Sequence, residues 1–345
     1  MKSKAIELRP EKTEKVRKYL IKNSLIRRDL KIKRKSGFVY IPIKSQDNKI
    51  NSYKVVKEEF IKIEKKPKNL SDIVLIPNNL KEKLPKSYDI IGDIALIKID
   101  SELLGYKSEI GNSLLKINKN LHTVCLVKPI KGEYRTRNVE IIAGENKSIT
   151  EHTEYGLKFL VDIKKTYFSP RLATERKRVA DLVKTGEIVV DMFAGVSPFS
   201  IMIAKYANPK IIYSVDKNKY AVKYGEENIK KNNFLDKIEV IHSDAKNISK
   251  LFGKKGIKAD RIIMNLPFSA HLFFKNALEL IKSSCVIHYY DILKDENMQK
   301  RIIKLKKIAK ELDISLTKIN IKKIKTYAPR EFYIGIDIKA KKMPM

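Results

Sequence analysis

Residues 186–200 constrain the chain most: Gly-Glu-Ile-Val-Val-Asp-Met-Phe-Ala-Gly-Val-Ser-Pro-Phe-Ser. Ile188, Val189 and Val190 form a short β-branched run, the pattern of a strand buried on both faces. Asp191 closes it. Met192 to Ser197 is a turn of mostly small residues around Gly195, and Pro198 suits the first turn of a helix, where its missing N–H costs nothing. Strand, acid, glycine turn and helix describe the first crossover of a doubly wound α/β sheet, whose ligands bind at the carboxyl ends of the strands. The plainer reading is a structural β-turn-α corner.

The turn lacks the Gly-x-Gly-x-x-Gly spacing that lets a pyrophosphate approach a helix N-terminus. A dinucleotide is therefore disfavoured, and a ligand with a cation and no phosphate fits better. The stretch resembles the first motif of class I methyltransferases that use S-adenosylmethionine (SAM). Backbone groups at Phe193, Ala194, Gly195 and Val196 are expected along the methionine part of that cofactor.

Later strand ends extend the pattern. Ile211 to Asp216 reads as the second strand, Lys237 to His242 with Ser243-Asp244 as the third, and Arg261 to Asn265 with Leu266-Pro267 as the fourth. One acidic strand end is usually a cap. Asp191, Asp216, Asp244 and Asn265 at four consecutive strand ends would line one edge of a parallel sheet. Asp216 is expected to accept from a ribose diol and Asp244 from the adenine amine. Cys285 to Tyr290 is the fifth strand, and helices are expected at Tyr220–Lys231 and His271–Ile281. Ile314–Ile324 and Phe332–Ile338 are then joined by a short connection, which reads as an antiparallel hairpin at the sheet edge.

The earlier chain divides into two smaller α+β regions. Residues 1–66 show an amphipathic helix at Glu11–Lys22, a hairpin around Ser36-Gly37 and a strand at Val55–Ile63, followed by a charged linker at Lys65–Ser71. Residues 73–165 show short strands and a helix at Glu109–Asn118. Within them, Lys131 to Arg137 is basic with Tyr134 inside it, so Arg135 and Arg137 are candidates for phosphate or base contacts. The SAM domain follows at 166–345.

The formal net charge of +33 on 345 residues makes a polyanion the expected partner. A lysine-rich solvated surface is the competing explanation. No apolar run approaches the ~20 residues of a membrane span, and the N-terminus has no signal-peptide core. The only cysteines, Cys125 and Cys285, are far apart. That spacing argues against a zinc site or disulfide framework and for a reducing cytoplasm.

Seven segments, in order, carry a closer likeness: Gly132-Glu-Tyr-Arg-Thr-Arg137, Ala143-Gly-Glu-Asn146, Val161 to Arg176, Val190 to Ser200, Ile263-Met-Asn-Leu-Pro267, Val286-Ile-His-Tyr-Tyr290 and Lys325-Thr-Tyr-Ala-Pro-Arg-Glu331. Together they resemble the archaeal and eukaryotic tRNA (guanine-37 N1)-methyltransferases over most of residues 130–335. The resemblance implies methyl transfer from SAM to N1 of the guanosine just 3′ of the anticodon. It implies Glu175 as general base, Arg135 as the arginine that contacts the base, and Asn265 at the base edge. It also implies a small N-terminal domain that meets the outer corner of tRNA. Tyr167, Arg171 and Lys325 join Arg135 and Arg137 as expected RNA contacts, and Pro267 joins the cofactor set. The chain is expected to act as a monomer, with no metal and no membrane. Two departures stand out: Val196-Ser197 where Val-Gly is usual, and Phe268-Ser269 after Asn265-Leu-Pro. Alternatives are a paralogue that also methylates C7 of 4-demethylwyosine, a methyltransferase for another RNA position, or an RNA-binding module with a vestigial pocket. For Glu175 the plainer role is a first-turn helix carboxylate, and for Arg135 a surface phosphate contact.

Overall fold

A computed structural model describes residues 1–44, 53–63, 69–128 and 138–344. It divides into two compact units, Met1–Ile73 and Val74–Met345.

The first unit contains β1 (Lys2–Leu8), α1 (Pro10–Lys22), β2 (Lys33–Lys35), β3 (Phe38–Pro42) and β4 (Val55–Glu59). The sheet order is β2-β3-β1-β4, with β1 antiparallel to both neighbours. Pro10 opens α1 with its fixed φ. Val16 and Leu20, four residues apart on one helix face, pack on Ile6, Leu8, Val39 and Ile41. The sequence reading missed β1. Its lysines obscure the alternation in Lys4-Ala-Ile-Glu-Leu8, yet Ala5 and Ile6 are fully buried because β1 lies inside the sheet. The strand expected at Val55–Ile63 is shorter, and Lys62 makes only an isolated bridge to Leu30.

The second unit begins with β5 (Asp89–Ile91), β6 (Ile94–Ile97), α2 (Lys107–Ile117), β7 (Thr123–Val127) and β8 (Val139–Gly144), which form a sheet in the order β5-β6-β7-β8. A hairpin of β9 (Ile149–Glu154) and β10 (Leu157–Asp162) follows, then α3 (Ala173–Leu182). The remaining elements are β11 (Ile188–Asp191), α4 (Pro198–Tyr206), β12 (Ile211–Asp216), α5 (Lys219–Lys231), β13 (Ile238–His242), α6 (Ile248–Lys254), β14 (Ala259–Met264), α7 (Phe274–Glu279), β15 (Ile281–Lys294), α8 (Met298–Lys310), β16 (Ile314–Ala328) and β17 (Glu331–Lys342). They build a seven-stranded sheet in the order β13-β12-β11-β14-β15-β17-β16. The pairs from β13 to β15 are parallel, and β17 and β16 add antiparallel. This is the expected doubly wound sheet ending in a hairpin.

Val189, Val190, Ile262 and Ile263 are fully buried at the sheet centre. The order places β11 between β12 and β14, so the chain reverses direction across the sheet there, and the crevice lies at the ends of these strands. The helix expected at His271–Ile281 is a 3-10 turn followed by the short α7. Ile281 already belongs to β15, because pairing with β14 and β17 overrides the helical pattern.

The boundary expected near residue 166 falls inside the second unit. Phe159 and Leu157 of the hairpin share one core with Phe168, Phe199 and Tyr290. Asn228 of α5 and Asn232, which caps its C-terminus, also seal the backbone of β10. Asn228 accepts from the Leu160 amide at 2.6 Å and donates to its carbonyl at 3.1 Å, and Asn232 does the same to Lys158. These side chains satisfy polar groups that a free strand edge would expose.

Candidate active site

The carboxyl ends of β11, β12, β13 and β14 open onto a cavity of about 620 Å³, within the range of small-ligand sites. Met192, Phe193, Ala194 and Gly195 form one wall, with Asp216, Asp244, Asn265, Leu266, Pro267 and Tyr167 around them. The structure thus brings together Phe193, Ala194, Gly195, Asp216, Asp244, Asn265, Pro267 and Tyr167 from the expected set.

Gly195 has φ +57°, and its amide donates to Asp216 Oδ2 at 2.7 Å. The Asn218 amide donates to Asp216 Oδ1 at 2.8 Å. Each oxygen keeps further acceptor capacity for a ligand hydroxyl. Burial pushes the Asp216 carboxyl above its usual value, against these amides. Asp244 is the reverse case: the Lys246 amide, at 2.9 Å, holds it below the usual range, assisted by Lys217 at 3.3 Å. Pro198 occupies the first turn of α4. It removes one of the free N–H groups with which a helix start binds phosphate. Two acceptors at strand ends, an apolar wall and this phosphate-poor turn fit a ligand with a ribose diol, an amine and a cationic centre.

Asp191 and Val196 do not line the cavity. Asp191 lies behind the turn, 1% exposed, where Ser200 donates to Oδ2 at 3.1 Å and Oδ1 has no partner among the described residues. Burial pushes its carboxyl up to about 7. Val196 is a core residue. The next residue, Ser197, has φ +65°, a left-handed conformation that favours glycine. Its hydroxyl lies 2.8 Å from Ser214 Oγ, and a Cβ on the facing Gly225 would come within 2.7 Å of it. The serine is thus accommodated by a glycine on α5.

Glu175 is also absent from the cavity wall. It lies 3% exposed on α3, while Leu172 and Arg176 of the same segment reach the cavity. Arg178 grips both carboxylate oxygens at 2.9 and 2.7 Å, and the Tyr290 hydroxyl donates to Oε1 at 2.8 Å. The network continues. Arg178 also holds Asp337, at 2.7 and 3.1 Å, and Asp337 meets His288 Nδ1 at 2.6 Å. His288 Nε2 faces Arg261 at 2.7 Å, and Arg261 grips Glu187. Arg261 can only donate, so His288 Nε2 accepts from it and Nδ1 donates to Asp337, the pattern of a neutral ring; burial lowers the His288 pKa in the same sense. Burial pushes Asp337 up, but His288 and Arg178 outweigh it and hold it below the usual carboxylate range. Burial and the adjacent Glu175 raise Tyr290, which stays a neutral donor. A separate buried pair, Arg176 with Glu154 at 2.6 and 2.5 Å, anchors α3 to β9.

Asn265 is half-buried, and its Oδ1 accepts from the hydroxyl of Tyr333. The Tyr333 ring lies 6.0 Å from Tyr290, so one tyrosine pair joins the cavity asparagine to the Glu175 carboxylate. Of the expected RNA contacts, Arg171 is exposed and pairs with Asp89 at 2.5 Å, and Lys325 lies 5.2 Å from the Tyr333 ring. Arg135 and Arg137 lie outside the described residues. Sequence reasoning missed Lys217 and Asn218 on the cavity wall, and it quoted Phe268 and Tyr327, which stand half-exposed at the cavity mouth, only within motifs. Asn218 had a signal, since it accepts from the Tyr220 amide as the cap of α5.

Among the described residues no three metal-ligating side chains cluster, and no helix is long and apolar enough to cross a membrane. Residues 150–317 match the TRM5/TYW2 methyltransferase domain, residues 69–147 a TYW2 N-terminal domain and residues 9–51 the tRNA methyltransferase 5 N-terminal domain. The chain is 39% identical to the tRNA (guanine(37)-N(1))-methyltransferase Trm5b of Pyrococcus abyssi, covering 97% of this chain and 98% of that one. It is 37% identical to the Trm5b of Methanocaldococcus jannaschii, covering 95% and 96%. The fold superposes with a TM-score of 0.80 on aTrm5 from its complex with tRNALeu, at 36% identity, covering 97% and 99%. A strand-end pocket suited to SAM and a likeness that runs along nearly the whole chain converge on one family: the protein belongs to the Trm5/TYW2 tRNA methyltransferases.

Proposed function

We infer that this protein transfers the methyl group of SAM to N1 of guanosine 37 in tRNA. The observation that carries this is the 39% identity to a Trm5b over 97% of the chain, together with a strand-end cavity whose acceptors suit SAM. The bound cofactor supplies an electrophilic methyl group. Asp216 and Asp244 would hold the ribose and adenine, and the Phe193–Gly195 backbone would hold the methionine part.

The remaining chemistry follows from guanine. N1 carries a proton at neutral pH, and its lone pair is available only when that proton leaves. A base is needed, and negative charge builds on O6. Glu175 is assigned as that base and Arg135 as the donor to O6. Asn265, held at Oδ1 by Tyr333, keeps its Nδ2 donors for the base edge. Glu175 is buried and does not line the cavity that Leu172 and Arg176 reach, so this role requires RNA entry to bring carboxylate and base together. Arg178, Tyr290 and Asp337 keep the carboxylate in place until then.

Residues 1–66 are assigned to the outer corner of tRNA, and the net charge of +33 to its phosphates. The protein is assigned to the cytoplasm, as a monomer, in keeping with two buried free cysteines. The test uses labelled SAM and tRNA transcripts with guanosine or adenosine at position 37, followed by nucleoside mass spectrometry. The expected product is 1-methylguanosine from the guanosine transcript alone. Equal labelling of both transcripts would move the target elsewhere in the RNA.

A further inference from the structure

The mouth of the cavity carries two large exposed aromatic side chains. Phe268 is 46% and Tyr327 49% exposed, and both line the pocket. Their rings meet edge to face, with centroids 5.5 Å apart and planes at 77°. They come from separate elements: Phe268 follows Asn265-Leu-Pro at the end of β14, and Tyr327 lies near the end of β16. Phe268 also has φ +76°, in the left-handed region that a bulky residue rarely adopts. The turn there closes through the Ser269 and Ala270 amides, which donate to the Leu266 carbonyl at 3.1 and 2.8 Å. A strained backbone thus holds a half-exposed phenyl ring at the rim, where it gains little from burial. Leu272, 64% exposed, extends the same apolar rim.

This arrangement matches a problem posed by the substrate. A nucleobase drawn out of a loop into a pocket leaves its neighbours without a stacking partner, which costs free energy. The interior groups, Asn265 and Pro267, are placed for the target base. The rim aromatics lie one step outward, where a flanking base would stand. Aromatic rings offer such a base a face whatever its identity.

We propose that Phe268 and Tyr327 form a stacking platform for a nucleotide flanking the methylated guanosine. This rests on the methyltransferase reading above. The pair replaces the stacking that the neighbour loses when the guanosine enters, so it acts on RNA affinity and base extrusion and leaves SAM binding alone.

The test uses the full chain and tRNA transcripts carrying guanosine 37 with 2-aminopurine at position 36 or 38, or 2-aminopurine at position 37 itself. Phe268→Leu, Tyr327→Leu and their combination keep apolar bulk but remove the ring. In the combined variant, tRNA affinity should fall about tenfold to a hundredfold. The bound-state fluorescence of one flanking 2-aminopurine should rise several-fold, with SAM affinity unchanged. Phe268→Gly separates this role from a structural one, because glycine relieves the left-handed backbone. It should keep or raise the melting temperature while weakening tRNA binding as Phe268→Leu does. Unchanged tRNA affinity and flanking fluorescence in the combined variant would overturn the platform, as would a response confined to position 37. A wild-type protein that leaves guanosine 37 unmethylated would instead overturn the function on which the platform rests.

Discussion

Two sets of carboxylates lie within the second unit, and they are held in different ways. Asp216 and Asp244 accept from backbone amides at the ends of strands and face the cavity. Glu154, Glu175, Glu187 and Asp337 are gripped by arginine side chains away from it. An amide occupies one acceptor site and leaves the rest of the carboxylate for a ligand. A forked guanidinium occupies both oxygens and spends the charge inside the protein. The first set is built to bind and the second to hold, and Glu175 belongs by geometry to the second while its expected task belongs to the first.

Truncation should separate the two sets. The largest effect is expected at Glu154, because Glu154→Ala strands the Arg176 guanidinium, which is 1% exposed. Breaking such a buried pair costs about 3–5 kcal/mol, read as a fall in urea midpoint. On the binding side, Asp216→Ala should weaken SAM binding by about 2–3 kcal/mol in calorimetry, with a smaller loss of stability than Glu154→Ala. The reverse ranking of stability would break the distinction between the sets.

Asp191 gives the smallest and most pH-dependent effect. Burial places its pKa at about 7, whereas in the unfolded chain it releases its proton near ~4. The folded state therefore binds more protons between these values, and stability is lost as pH rises from about 4 to about 7 and is level above. Asp191→Asn removes this loss. The margin of the variant over wild type should widen by roughly 1–2 kcal/mol between pH 6 and pH 8 in urea unfolding. A wild-type stability that is flat across this interval would mean that Asp191 is ionised in the fold.

The strand-end acceptors were legible in the sequence because a parallel sheet brings the carboxyl ends of its strands to one edge. Asp216, Asp244 and Asn265 could thus be placed together from strand periodicity alone. The holding network was not legible. Nothing in the sequence marked Arg176, Arg261 and His288 as a buried network, and tertiary pairing holds them at 1–2% exposure. Asn228 and Asn232 gave no sign that they would seal a strand edge, since their partners lie 68 and 74 residues away. The departure at Ser197 became intelligible only through its contact with Gly225 across α4 and α5. In each case the missing information is a long-range partner, which local pattern does not carry.

Glu175 decides whether a carboxylate of the holding set also does chemistry. The direct measurement is the single-turnover methylation rate against pH at saturating tRNA and SAM, for wild type and Glu175→Gln. If Glu175 takes the N1 proton, the wild-type rate rises with pH until the carboxylate is ionised and then levels. Glu175→Gln loses that limb and is slower by about a hundredfold or more, with little change in SAM or tRNA affinity. A variant that keeps the wild-type limb and turns over within a few-fold of it would contradict the assignment and leave Glu175 as an anchor for Arg178 and Tyr290.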